Sequence, residues 1–141
     1  MVEFERVYID SSVIARLIFR QPGALQVEWG LAVSSELLAA ELFRGIDRLR
    51  ISGLTEFEVA RFRIDAQNSL AGIELMPLDS RVLRRVAGQF PAPLGTLDAI
   101  HLATALMWYE HTGKQFVLLT HDRQLADASE ACGLQVYPRR V

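Results

Sequence analysis

Residues 6–19 read RVYIDSSVIARLIF, and this stretch decides the fold. Its apolar start predicts a buried strand, and the helical pattern that follows directly predicts a helix that Ser11 or Ser12 caps. Asp10 stands at the junction, at the carboxyl end of the strand. Ligands bind at that end of the strands in open α/β sheets, so Asp10 is a candidate site residue, with a plain helix N-cap as the alternative.

The same alternation of strand and helix continues along the chain. Short β-type runs occur at 31–34, 73–77, 116–120 and 134–137, and longer helical patterns separate most of them. Strands that alternate with helices predict an α/β fold with a parallel sheet covered on both faces. The sequence contains no internal repeat, low-complexity tract or linker, so we predict a single domain over residues 1–141.

Several polar residues mark where the predicted helices begin and end. The predicted starts are Ser34 or Ser35, the capping box of Thr55 with Glu58, Asp79, and Thr96, and the predicted C-cap glycine is Gly133. These signals divide the chain into elements of ordinary length.

The composition is that of a globular protein with a core of its own. The chain has 141 residues, of which 50% are hydrophobic and 23% are charged, with a formal net charge of −2. Cys132, the single cysteine, forms no intrachain disulfide, which favours a reducing compartment. No apolar stretch approaches the ~20 residues of a membrane helix, and no secretory signal pattern is present. We therefore expect a cytoplasmic protein with no membrane partner.

The basic residues are unusual in kind. Fourteen of the fifteen are arginine, and Lys114 is the one lysine. The planar guanidinium group suits phosphate and carboxylate partners better than a point charge does. This bias favours a partner that carries phosphate, although a GC-rich genome would produce the same bias.

One acid lies inside an apolar helical stripe. Glu41 falls next to Leu37 and Leu38 on the face of the helix predicted over 35–49. A carboxylate on a face that points to the core needs a cation, hydrogen-bond donors or a proton, because an isolated buried charge is costly. Arg44, three residues further on, is the structural partner that the sequence offers.

Two more acids belong with Asp10. Asp122 follows the apolar run at 116–120, so a second strand delivers an acid to the same edge of the sheet, and Asp98 lies in the first turn of an apolar helix. The helix dipole alone could account for Asp98. Together with Glu41, however, these acids would repel one another unless a cation lay among them. All-oxygen ligands suit Mg²⁺ or Mn²⁺, and no zinc-site spacing is present.

Other site chemistries have less support. His101 lies among apolar neighbours and is interpreted as a core histidine, and His121 is a weaker candidate for the lining of the acidic site. The sequence lacks the glycine-rich loops of nucleotide binders and the nucleophile elbow of serine hydrolases. An aspartyl-nucleophile phosphotransferase would also place Asp10 at a strand end, but Ser12 stands where those enzymes usually have a second Asp.

Four segments carry these acids, and together they are specific. They are 8–14 (YIDSSVI), Ser35 with 41–44 (ELFR), 97–103 (LDAIHLA) and 119–122 (LTHD). They resemble the acidic motifs of the PIN-domain nucleases, above all the VapC-type toxins of bacterial and archaeal toxin–antitoxin pairs. The resemblance covers residues 7–137. One departure is Glu36, where the family often has a small residue.

The resemblance implies a fold and an activity. The fold is a three-layer PIN-like domain with a central five-stranded parallel sheet, and the activity is that of a Mg²⁺-dependent endoribonuclease. The implied partners are an RNA substrate, a second copy in a homodimer and a VapB-type antitoxin that holds the enzyme inactive. The implied catalytic and metal-binding residues are Asp10, Glu41, Asp98 and Asp122, with Ser11 and Thr120 as accessory polar neighbours.

Two further expectations concern the surface. An acidic pocket repels an RNA backbone, so cations must surround it, and the selected candidates are Arg16, Arg44 and Arg123. The helix predicted over 55–70 carries two apolar stripes, which either lie within the fold or include a groove for the antitoxin. A non-catalytic PIN-like module that binds RNA or protein is the alternative to the nuclease.

Overall fold

Parallel strands form the centre of the fold in the computed structural model, which describes residues 1–139. Within that range the strands are β1 (Val2–Ile9), β2 (Val27–Ser35), β3 (Glu74–Met76), β4 (Val117–Leu119) and β5 (Gln135–Tyr137). They form one five-stranded, all-parallel sheet in the order β3-β2-β1-β4-β5. The predicted α/β class and the predicted strand positions are confirmed.

Helices cover both faces of the sheet. They are α1 (Ser11–Ile18), α2 (Leu37–Ile51), α3 (Glu56–Ala71), α4 (Ser80–Val86), α5 (Thr96–Thr112) and α6 (Arg123–Ala131). Successive side chains of a strand point to opposite faces. Accordingly, Val7 and Ile9 pack in one buried cluster with α1, α2 and α3, and Tyr8 packs in another with α5 and α6. The three predicted layers are therefore present.

Two strands begin earlier than the sequence predicts. Val2 pairs with Val27 and Phe4 with Trp29, so β1 and β2 run side by side beyond the edge of the core. Most residues of this outer section are exposed or only partly buried. A section of this kind has no continuous apolar run, and the apolar pattern therefore marks only the buried half of each strand.

The helix starts follow the predicted chemistry at most positions. Thr55 and Glu58 form both bonds of the capping box, and the Asp79 carboxylate accepts hydrogen bonds from two backbone N–H groups of α4. Ser35 Oγ accepts from the N–H of Leu37 at 3.1 Å at the start of α2. The prediction that Ser11 or Ser12 caps α1 is wrong, because the N-cap residue is Asp10. Thr96 is the first residue of α5 rather than its cap, which is Gly95.

The register of the two central strands brings distant parts of the chain together. Ile9 of β1 lies opposite Leu119 of β4, and the N–H of Asp10 donates to the carbonyl of Leu119 at 3.0 Å. The residues that follow each strand therefore meet at one edge. Glu36 ties the start of α2 to the same edge of the sheet, because its carboxylate accepts from the N–H of Leu78 at 3.1 Å. No helix within residues 1–139 is long and apolar enough to cross a membrane.

Candidate functional site

Asp10 occupies the N-cap position of α1 but does not act as a cap. Its side chain makes no capping hydrogen bond to the helix, and the residue is 3% exposed. Its Oδ2 instead accepts hydrogen bonds from Ser12 Oγ at 2.6 Å and from Thr120 Oγ1 at 2.8 Å. The plain N-cap alternative therefore does not explain Asp10. Two hydroxyl groups hold its carboxylate in one orientation at the carboxyl edge of the sheet.

Thr120 lies beside Asp10 as predicted, whereas the contact expected of Ser11 is made by Ser12. Ser11 lines the mouth of the groove between α1 and α2. Ser12 Oγ also accepts from the backbone N–H of His121 at 3.0 Å, so the loop after β4 is tied to α1. The backbone of His121 thus supports the site.

Asp98 lies in the first turn of α5, close to Asp122 and Asp10. Burial, together with the negative charges of Asp122 and Asp10, raises the pKa of Asp98 from 3.8 to about 6. Asp122 is also the N-cap of α6, where its Oδ1 accepts from the N–H of Leu125 at 2.8 Å. The structure therefore brings Asp10, Asp98 and Asp122 into one negatively charged cluster.

Glu41 joins this cluster through a histidine. The side chain of Glu41 is 19% exposed, and its Oε1 lies 2.6 Å from Nε2 of His101. The same Nε2 lies 3.6 Å from Oδ1 of Asp10. Arg44, the partner that the sequence offered for Glu41, instead pairs with Asp47 at 3.0 Å. The imidazole ring is therefore the group that links the carboxylates of α2 and β1.

His101 is the site residue that the sequence analysis missed. It is a buried histidine, as interpreted, with 0% exposure, but it lies among the acids and its Nδ1 is 2.8 Å from Tyr8 Oη. Burial lowers its pKa, but the hydrogen bond to Glu41 and the charges of nearby acids outweigh that effect, so the pKa lies above its usual value. The spacing of three residues from Asp98, which places both on one helix face, was the available signal.

The donor set fits a hard divalent cation. Within residues 1–139, no three His, Cys, Asp or Glu side chains enclose a metal position as they stand. The carboxylates nevertheless offer only oxygen ligands, and burial together with the charges of Asp122 and Asp10 raises the pKa of Asp98. A cation of the Mg²⁺ or Mn²⁺ type would balance them.

The predicted cationic rim is only partly at the site. Arg44 lines a groove of about 360 Å³ between α1 and α2, which also includes Glu41 and Ser12. Arg123 is exposed and follows Asp122 directly. Arg16 instead extends toward Gly23 in the loop after α1. A Cβ atom added to Gly23 would lie 2.9 Å from Nη1 of Arg16, so the guanidinium group lies against this glycine.

Comparisons with known proteins identify similar sequences. A family model described as the PIN domain matches residues 7–131. Ribonuclease VapC46 of Mycobacterium tuberculosis is 36% identical over 135 residues, which cover 92% of this chain and 95% of that protein. Ribonuclease VapC47 of the same species is 30% identical over 74% of this chain and 85% of that protein.

A solved structure shows the same fold. The crystal structure of VapBC2 from Rickettsia felis, bound to a DNA fragment from its promoter, matches with a TM-score of 0.61 and 11% identity. The match covers 93% of this chain and 96% of that chain. At this identity the likeness concerns the fold alone.

The shifted pKa of Asp98 makes the stability of the metal-free protein depend on pH. Because the folded-state pKa of about 6 exceeds the usual 3.8, the folded protein binds the proton more tightly, and stability falls as pH rises through this window. Asp98→Asn should therefore stabilise the protein by about 1 kcal/mol at pH 7.5 in EDTA, after allowance for solvent screening, and give no gain at pH 4.

Urea denaturation from pH 4 to pH 8 measures this difference. Asp127→Asn, at an exposed position of α6, is the matched control and should show no such pH dependence. A loss of stability in Asp98→Asn at pH 7.5 would contradict the crowding of these carboxylates.

Proposed function

Since this chain belongs to the PIN domain family, we propose that it is a VapC-type endoribonuclease that hydrolyses an RNA phosphodiester at the cluster of Asp10, Glu41, Asp98 and Asp122. The family assignment makes it the toxin of a type II toxin–antitoxin pair. The observation that carries the proposal is the convergence of carboxylates from β1, α5 and the loop after β4 at one sheet edge. Capping of α6 explains Asp122 alone, whereas Asp10 makes no side-chain capping bond to α1.

Asp10 and Asp98 would be the principal ligands of the ion, with Glu41 and Asp122 completing the set. When bound, Mg²⁺ or Mn²⁺ would polarise the phosphoryl group and supply a water of lowered pKa. The chain's own contribution is orientation. Ser12 and Thr120 both donate to Oδ2 of Asp10, so the rotation of that carboxylate is fixed before the ion or the RNA arrives.

Asp10→Asn should abolish cleavage while the fold persists. The amide oxygen can still accept from Ser12 and Thr120, but the negative charge that holds the cation is gone. We expect the cleavage rate to fall about 1,000-fold, since a metal supplies several kcal/mol to such a reaction. Gel assays on total RNA, with circular dichroism as the check on folding, measure this, and Asp127→Asn should cleave normally.

EDTA should stop cleavage by the wild-type protein and excess Mg²⁺ should restore it. Full activity in EDTA, or full activity of Asp10→Asn, would contradict the proposed chemistry. A wild-type protein that binds RNA without cutting it in Mg²⁺ or Mn²⁺ would instead be the non-catalytic module.

RNA contacts require cations close to the acids. Arg44 in the groove and Arg123 beside Asp122 are the exposed arginines that we propose as contacts to the phosphate backbone. We do not extend this proposal to Arg16, whose guanidinium lies against Gly23. The expected contacts are independent of base identity, because phosphates carry no sequence information.

Replacement of either arginine should weaken RNA binding. It should also make the RNA affinity less dependent on salt concentration. Each of Arg44→Gln and Arg123→Gln should reduce the slope of log affinity against log salt by about 0.7, the value per phosphate contact on a single strand. Fluorescence anisotropy in EDTA measures affinity without cleavage. Arg81→Gln on α4, whose arginine pairs with Asp79, is the control, and slopes equal to wild type in all variants would exclude the two contacts.

We propose further that an antitoxin of the VapB type covers part of α3, and that the toxin forms a homodimer. One stripe of α3 is internal, since Val59 and Ala66 are buried and Phe62 packs edge-on against Phe19 with ring centroids 5.1 Å apart. The other stripe leaves Phe57 77% exposed and Ile64 53% exposed. Exposed apolar side chains in this spacing suit an apolar face of a partner chain.

Phe57→Ser should weaken antitoxin binding at least tenfold and leave RNA cleavage by the free toxin unchanged, because the side chain is outside the acidic cluster. Hydrogen exchange of α3, with and without the co-encoded partner, gives the direct measurement. Equal protection of α3 in both states would discard this surface. Val2→Ser, at an exposed apolar position on β1, is the control for a general loss of apolar surface.

A further inference from the structure

A chain of hydrogen bonds runs from the core to the acidic cluster. Tyr8 on β1 is 1% exposed and His101 on α5 is 0% exposed, and Tyr8 Oη lies 2.8 Å from Nδ1 of the imidazole. The two rings also meet edge to face, with centroids 5.8 Å apart and an interplanar angle of 76°. The other ring nitrogen, Nε2, reaches Glu41 Oε1 at 2.6 Å.

The direction of the outer hydrogen bond follows from the chemistry of its partners. An ionised carboxylate can only accept, so Nε2 carries a hydrogen and donates it to Glu41. The inner bond to Tyr8 Oη holds the ring in one orientation, whichever of its two atoms donates. Burial keeps the pKa of Tyr8 well above its usual value, so the hydroxyl group stays protonated and uncharged beside the acids.

A histidine at this place has a cost that packing alone does not explain. Its neighbours on α5, Leu102 and Ala103, are completely buried without polar side chains, so an apolar residue could fill the same space. A buried polar ring is tolerated only where both nitrogens find partners. Here the partners are the buried tyrosine on one side and the carboxylate of Glu41, with Asp10 3.6 Å away, on the other.

We propose that Tyr8 and His101 form a positioning pair that fixes the Glu41 carboxylate, and its spacing from Asp10, for the binding of the divalent cation. This inference rests on the proposed function, because it assigns the pair to the same site. The pair does not act on the RNA directly, since neither side chain reaches the surface. Residues that orient metal ligands in this way commonly change metal affinity or activity by about 10–100-fold when they are replaced.

The test is the affinity of the full-length, metal-free protein for Mn²⁺ alone, measured by calorimetry without RNA. His101→Leu should weaken Mn²⁺ binding about 10–100-fold, and His101→Gln, whose amide Nε2 can donate toward Glu41, should recover much of that loss. Tyr8→Phe keeps the aromatic packing and removes only the hydroxyl group, so it should fold and still bind Mn²⁺ several-fold more weakly. In cleavage assays at fixed subsaturating Mg²⁺, kcat should fall while KM for RNA stays near the wild-type value.

Tyr109→Phe supplies the matched control. Tyr109 lies on α5, the helix that carries His101, and its hydroxyl group accepts a hydrogen bond from Gln115 Nε2 at 3.4 Å. This hydroxyl group is bonded outside the acidic cluster, so Mn²⁺ affinity should not change. The positioning role would be overturned if Tyr8→Phe and the folded His101 variants bound Mn²⁺ with wild-type affinity. The pair would then be a purely structural contact. A wild-type protein that binds no Mn²⁺ would overturn the proposed function together with this inference.

Discussion

The parallel pairing of β1 with β4 is the constraint on which the rest of the structure depends. The bond from the N–H of Asp10 to the carbonyl of Leu119 closes that pairing at its carboxyl end. Two acids that are far apart in sequence, Asp10 and Asp122, therefore leave the sheet at the same place. The first turn of α5 adds Asp98 to them. Backbone pairing, rather than attraction between side chains, creates the negative cluster, and the side chains must then be accommodated.

The protein accommodates these charges with a small set of polar groups. Hydroxyl groups hold Asp10, the N–H of Leu125 donates to Asp122, and the imidazole of His101 links Glu41 to the group. Burial and the charges of Asp122 and Asp10 still raise the pKa of Asp98. Crowded carboxylates with shifted pKa values are more frequent at functional sites than elsewhere in a fold. Under the proposed function, a divalent cation would supply the balancing positive charge.

The fold and the principal acids could be predicted because both follow from local patterns. An apolar run that ends in an acid predicts a strand and a candidate ligand at once, as at Asp10 and Asp122. Glu41 was visible because it interrupts an apolar stripe on its helix. These signals depend on residues within a few positions of one another, which is the range over which a single sequence can be interpreted reliably.

The partners of these acids could not be predicted, because they depend on tertiary contacts. His101 is 60 residues from Glu41 and 93 from Tyr8, so no helical or strand spacing links them. Arg44 was a reasonable partner for Glu41 by spacing. Asp47, however, lies three residues beyond Arg44, and both side chains keep contact with water, so this ion pair forms with a small desolvation cost. Likewise, Ser12 matches the pattern of a helix cap, and only the position of β4 shows that its hydroxyl group serves Asp10.

We propose that the crowded carboxylates at this edge hold a divalent cation. Anomalous diffraction from crystals soaked in Mn²⁺ tests it most directly. We expect an anomalous peak in contact with Asp10 and Asp98. Well-occupied manganese elsewhere on the molecule, with no peak at that edge, would contradict it.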